Sequence, residues 1–275
     1  GRTMKQYFST TADDQPRKAG SLLAIASGKG GVGKTVVAGA LASAFAAREE
    51  RTLLVDGDLG MANIDVQLGL DPRGDLSGVM SGQISLAEAV SCVSGGADMT
   101  DGFDVIAGRS GSAALAGLDS TGAARLAAGI AAASMTYDRT LIDLAAGADR
   151  ATIRLAAAAD DVVLVMSDEP TSLTDAYAFV KLLRLRDEGA APFIIVNNAP
   201  DKASADMAYA SFARTCESFL GFRPPLAGII RRDSNVPKAI RAQTALKTLA
   251  PGTPAMRDIE AIAGLLAAGA ESAYA

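Results

Sequence analysis

Ser21-Leu22-Leu23-Ala24-Ile25-Ala26-Ser27-Gly28-Lys29-Gly30-Gly31-Val32-Gly33-Lys34-Thr35-Val36 is the stretch on which the reading of this chain turns. An apolar run of strand length feeds a glycine-rich loop, and an Ala-rich segment of helical character runs from Val36 to Arg48. Strand, glycine loop and helix in that order form a cradle for a polyphosphate. The glycines let successive backbone N–H groups turn inward, and the helix start at Lys34-Thr35 adds its positive dipole end. Lys34 supplies a point charge and Thr35 a hydroxyl for Mg²⁺. Gly30, Gly31, Val32, Gly33, Lys34, Thr35 and Val36 are therefore the candidate phosphate-binding residues. By ordinary composition such a spelling arises in roughly one chain in a hundred of this size, and its flanks make coincidence rarer.

Working outward, 275 residues suit one α/β domain, and an Ala-rich, aromatic-poor composition suits many helices laid on a sheet. A net charge of −5 argues against a protein dominated by non-specific nucleic-acid binding, and leaves only a local basic patch open. Cys92 and Cys216 have no ligand spacing around them and read as free thiols. The chain has no His, so the commonest metal ligand and acid-base group is missing. Apolar runs stay below membrane-spanning length and no basic-then-apolar leader opens the chain, so a cytoplasmic protein is expected. Residues 1–20 read as a polar, flexible arm, with Gly1-Arg2-Thr3 as a cloning remnant, and 21–275 as a single domain.

Two further strands end in acids. Arg51–Asp56 runs into Gly57-Asp58, and Tyr137–Asp143 runs into Leu144-Ala145-Ala146-Gly147. Open parallel sheets place ligands at the carboxyl ends of their strands, so Asp56, Asp58 and Asp143 fall where a phosphate-bound Mg²⁺ needs carboxylates. Short helices are expected over Leu76–Met80 and Ser85–Val90, loop over 94–102 and 108–119, and a strand over Phe103–Ala107. Helices over Ser120–Ala133, Asp175–Asp187 and Lys202–Leu220 then alternate with strands over Asp161–Met166, Phe193–Asn198 and Leu226–Ile230. Such alternation predicts a doubly wound, mostly parallel sheet flanked by helices.

Lys29 ahead of the glycines, together with Lys34, resembles the deviant Walker A loop of the MinD/ParA class of P-loop ATPases, and the resemblance covers most of residues 21–250. The stretch from Asp56 to Leu70 resembles switch I of the flagellar-number regulators of the FlhG/FleN branch, and Leu141–Gly147 resembles their switch II. Asp168–Ala178 is similar to the same branch. The resemblance implies ATP/ADP with Mg²⁺ and an ATP-dependent homodimer. In it Lys29 reaches the other copy's phosphates, Lys34 holds its own, and Asp58 positions the attacking water. These three are the expected catalytic residues; Thr35, Asp58 and Asp143 are the expected metal residues, and Asp56 is structural. Asn197 matches the family's adenine-reading position, and Ile230-Arg231-Arg232-Asp233 a second base contact, with Arg231 where a Pro is frequent.

Several stretches depart from the family pattern. The final segment Ile259–Gly269 has an apolar face without the Lys and Arg of a membrane-docking helix, so it reads as packed on the core. Asp14-Gln15-Pro16-Arg17 shares only the opening of the motif by which relatives activate an FlhF-like GTPase, and Pro16 obstructs a helix there. Arg214, Arg223, Arg231, Arg232, Lys238, Arg241 and Lys247 face only Glu217 and Asp233 in their own stretch, a candidate DNA patch. Two readings result. One is an ATP-driven switch for flagellar number and placement, acting through an FlhF-like GTPase, a FleQ-like regulator or switch-complex proteins, which recruit it to a pole or membrane. The other is a ParA-like DNA-binding positioning ATPase.

Overall fold

The computed structural model describes residues 20–58, 61–94, 102–108 and 120–272. The expectations for the arm up to residue 19, for 95–101, for 109–119 and for Leu59-Gly60 lie outside the described residues. In chain order the elements are β1 (Ser21–Ala26), α1 (Lys34–Ala46), β2 (Thr52–Gly57), α2 (Ile64–Gln67), α3 (Leu76–Met80), α4 (Leu86–Ala89) and β3 (Val90–Val93). Then come β4 (Phe103–Ile106), α5 (Ser120–Ser134), β5 (Arg139–Leu144), α6 (Arg150–Ala157), β6 (Asp161–Met166), α7 (Pro170–Arg186) and β7 (Phe193–Ala199). The chain continues through α8 (Lys202–Leu220), β8 (Leu226–Arg231), α9 (Asn235–Arg241), α10 (Leu246–Leu249) and α11 (Pro254–Ser272).

These strands form one eight-stranded sheet in the order β3-β4-β2-β5-β1-β6-β7-β8. Every neighbouring pair is parallel except β3 with β4. The central strands are near-continuous apolar runs because helices cover both faces. Leu23, Ile25 and Leu54 pack toward α1 and α11, whereas Ala24, Leu53 and Ile142 pack toward α5 through α8. Register brings the acidic strand ends level: Asp143 of β5 lies opposite Ile25 of β1 on one side and Asp56 of β2 on the other.

Local sequence explains most boundaries. Asp201 caps α8 by accepting from the Ser204 N–H at 2.7 Å, and Gly221 at φ 70° ends it. Asp149 caps α6 in the same way. The structure adds β3, which turns straight out of α4 between the helix expected to end at Val90 and the loop expected from residue 94, and α6, for which no helix was expected. It also starts α7 five residues before Asp175, with Pro170 in the first helical position. The C-terminal helix α11 buries Met256, Ile259, Ile262 and Leu266 against the core. Among the described residues no helix is long and apolar enough to cross a membrane.

Phe45 of α1 is fully buried and carries the Arg139 guanidinium 4.3 Å from its ring centroid, at the foot of the central strands. Phe45→Ala is expected to lower the unfolding free energy by about 3–5 kcal/mol through loss of apolar contact and the cavity left behind. Urea denaturation measures this, and a loss below about 1 kcal/mol contradicts the packing described.

Candidate functional site

β1 delivers the chain to Ser27, and the loop that follows turns back over the start of α1. Gly31 and Gly33 have φ of 80° and 86°, conformations open to glycine. At Gly33 a side chain is doubly excluded, since a Cβ would stand 2.4 Å from Nδ2 of Asn197. The Asn197 amide donates to the Val32 carbonyl at 2.8 Å, so β7 braces the crown of the loop. Lys34, almost fully buried, donates from Nζ to Oδ1 of Asp143 at 2.5 Å. The Thr35 hydroxyl bonds the same carboxylate. Burial pushes Asp143 up, and the Lys34 charge and the hydrogen bonds of Lys34 and Thr35 oppose that rise.

Asp56 and Asp58 divide their roles. Asp56 is buried and accepts from three backbone N–H groups, those of Asp58 at 3.2 Å and of Asn63 and Ile64 at 3.0 Å each. It closes the loop after β2 and holds the start of α2. Asp58 is more open and accepts from the Met61 N–H at 2.9 Å. On the other flank, the Gly147 N–H donates to the Ser27 carbonyl at 2.8 Å, tying the turn after β5 to the entrance of the glycine loop. Ser27 Oγ is buried and without a hydrogen-bond partner in the described structure.

Lys29 points along the surface, where its ammonium pairs with Glu169 at 3.1 Å and donates to the Thr171 hydroxyl at 2.8 Å. Glu169 and Thr171 are site residues to which the sequence reading gave no role. They follow β6 directly, and β6 neighbours β1 in the sheet, an adjacency that only the folded chain shows. Arg231 and Asp233 are committed elsewhere. The Arg231 guanidinium makes a bidentate pair with Asp258 at 2.8 and 2.9 Å, and Asp233 accepts from the N–H groups of Asn235 and Ala255. Both side chains fasten the end of β8 to α9 and α11.

The basic stretch loses much of its excess for the same reason. Arg231 is met by Asp258, Lys247 by Glu260 and Arg223 by Glu217, and two of those acids come from α11, outside the stretch.

The loop fits a nucleotide's phosphates and the donor set fits Mg²⁺. Lys34 carries three N–H donors, of which Asp143 takes one, and the left-handed glycines keep side chains off the crown. Among the described residues no cluster of three or more His, Cys, Asp or Glu forms a protein-only metal cage. Mg²⁺ needs none, because it is held by one or two side chains together with phosphate oxygens and water.

The model of the CobQ/CobB/MinD/ParA nucleotide binding domain matches residues 23–246. The chain belongs to this nucleotide-binding family. Across 243 residues it is 35% identical to the antiactivator FleN of Pseudomonas aeruginosa, covering 88% of this chain and 84% of that protein. It is 27% identical to the flagellum site-determining protein YlxH of Helicobacter pylori, covering 91% of this chain and 83% of the other. Among solved structures, the septum site-determining protein MinD of Pyrococcus horikoshii, complexed with Mg-ADP, superposes with a TM-score of 0.72. It is 24% identical and the match covers 90% of this chain and 95% of that one. The MinD/ParA resemblance read from the loop thus extends over the family domain, and the doubly wound, mostly parallel fold is the one observed.

Two outcomes follow from the geometry. Gly33→Ala is expected to displace Asn197 and the loop crown together, abolishing nucleotide binding while the melting temperature stays within a few degrees; unchanged binding contradicts the bracing. The second concerns Asp56, which burial raises to about 7 against the pull of its N–H donors. The folded state then keeps a proton that the unfolded chain releases at ordinary carboxylate pH, so this contribution to stability is present in acid and lost as pH rises toward about 7. Urea denaturation of wild type and Asp56→Asn across that window should show wild type losing ground to the variant as pH rises; a pH-independent difference contradicts it.

Proposed function

We propose that this chain is an ATPase working as a dimerisation switch in the control of flagellar number or placement. The observation that carries the reading is the buried Lys34–Asp143 pair with half-buried Thr35 beside it under a glycine crown, in a chain 35% identical to an antiactivator, FleN, over most of its length. Lys34 neutralises and holds the terminal phosphates of ATP. Thr35 with its hydroxyl and Asp143 and Asp58 with their carboxylates are the residues that would hold Mg²⁺. The ion, when bound, neutralises charge on the phosphates during transfer. Asp58, open and adjacent to the anchored Asp56, orients the attacking water. In-line phosphoryl transfer needs positioning and charge stabilisation, which suits a site without His.

Lys29 reaches the phosphates bound to a second copy. Its resting contacts to Glu169 and Thr171 are exposed, and exposed pairs of this kind are worth about 0–1 kcal/mol, so release is cheap. On the base side, Asn197 reads adenine, and Arg231 and Asp233 act by fixing the backbone that lines the base. The charge pairing of Arg223, Arg231 and Lys247 favours protein partners over duplex DNA. Those partners include an FlhF-like GTPase or a FleQ-like regulator, and through them the protein reaches a pole or membrane from the cytoplasm.

Light scattering with no nucleotide, ADP and ATP tests the switch, with a dimer expected in ATP alone. Lys34→Ala is expected to bind neither nucleotide. Lys29→Ala should bind ATP and stay monomeric. Asp58→Ala should dimerise in ATP and lose turnover by about a hundredfold or more. A monomer under all three conditions contradicts the switch, and wild-type turnover in Asp58→Ala contradicts its role.

A further inference from the structure

Between α5 and the pair α3–α4, over β2 and β4, runs an apolar cleft of about 370 Å³ walled by Leu76, Val79, Met80, Ile106, Leu126 and Ile130. Along α5 its lining extends from Gly122 to Ala133, a length of roughly 16 Å at helical rise. None of its lining residues belongs to the glycine loop or to the acids beside it. Gly129 leaves the cleft wide at mid-length, for a Cβ there would meet nothing within 4 Å. Arg125 lines the cleft and is itself exposed.

The chain that precedes β1 arrives at one end of this cleft. A Cβ on Gly20 would stand 2.1 Å from the carbonyl oxygens of both Ser134 and Tyr137, and Ser134 is the residue next to Ala133. Residues 1–19 lie outside the described residues, but their sequence is explicit. Their large apolar side chains are Met4, Tyr7 and Phe8, spaced i, i+3, i+4, with Lys5 and Gln6 between. That spacing makes one apolar stripe on a helical turn, the form in which a short segment enters a groove. Between Phe8 and Gly20 the chain spans up to about 40 Å when extended, well over the length of the cleft. Tethering at this range corresponds to an effective concentration of about millimolar, enough to fill a modest groove. Asp13 and Asp14 on the tether complement Arg125.

We infer that this cleft is the docking groove for the chain's own N-terminal segment, with Met4, Tyr7 and Phe8 as its anchors. A docked segment is withheld from other proteins, so the groove and any partner of the arm compete for the same side chains. The inference does not depend on the nucleotide reading, and its test involves no nucleotide.

The chain contains no Trp, so Phe8→Trp in the full-length protein supplies a lone emitter. Expected is a blue-shifted emission, shielded from acrylamide and independent of protein concentration. Gly129→Leu, which plugs the groove from α5, should move that emission to the position of an exposed indole without loss of far-UV circular dichroism. Val79→Lys, on the opposite wall, should do the same if the plugged variant fails to fold. Exposed emission in the unplugged protein, or a blue shift that neither wall variant alters, overturns the inference. So does a shift that grows with concentration, which assigns the groove to a second copy's arm. If Leu118→Trp responds to the plug and Phe8→Trp does not, the groove belongs to residues 109–119 and the inference is wrong.

Discussion

The site depends on one buried ion pair, Lys34 with Asp143. Taking both charges out of water costs several kcal/mol, and the pair persists because the contact is short and Thr35 adds a second hydrogen bond to the carboxylate. Removing either partner leaves an uncompensated buried charge, typically a loss of 3–5 kcal/mol. The pair is therefore weak evidence for stability. It pins the first residue of α1 to the penultimate residue of β5, across the strand that feeds the loop. The loop between β1 and α1 closes in an arch above that pair with Gly31 and Gly33 in the left-handed region.

The surrounding contacts read as supports for the arch. Asn197 holds its crown from β7, the Gly147 N–H holds its entrance from the turn after β5, and Glu169 with Thr171 holds Lys29 to the start of α7. Asp56 organises the neighbouring loop through three backbone N–H groups, while Asp58 beside it is the more exposed of the two acids. Each tie comes from the carboxyl end of a different strand.

What the sequence made legible follows from the range of the interactions. The glycine loop, Lys34, Thr35 and the acids at the ends of β2 and β5 were readable because their meaning is local: a strand, a turn requiring glycine, a helix start. α8 and β6 agree with expectation to the residue, since caps and apolar runs mark them. β3 was hidden, for Val90–Val93 is four residues long and emerges directly from α4. The partners of Lys29 and Asn197 lie 140 and 165 residues away, and no spacing rule reaches that far. The partner of Arg231 was out of reach for a related reason: Asp258, which pairs with its guanidinium, belongs to a helix that a reading confined to residues 214–247 leaves out. The charge of a stretch is settled by what folds against it.

The family domain and the geometry of the glycine loop converge on a nucleotide site. Titration calorimetry on the folded wild-type protein in magnesium measures binding there directly. Saturable binding of either ADP or ATP at one site per chain, each displacing the other and both weakened when magnesium is chelated, is the result this account predicts. Absence of heat and of competition for both nucleotides contradicts it at its base.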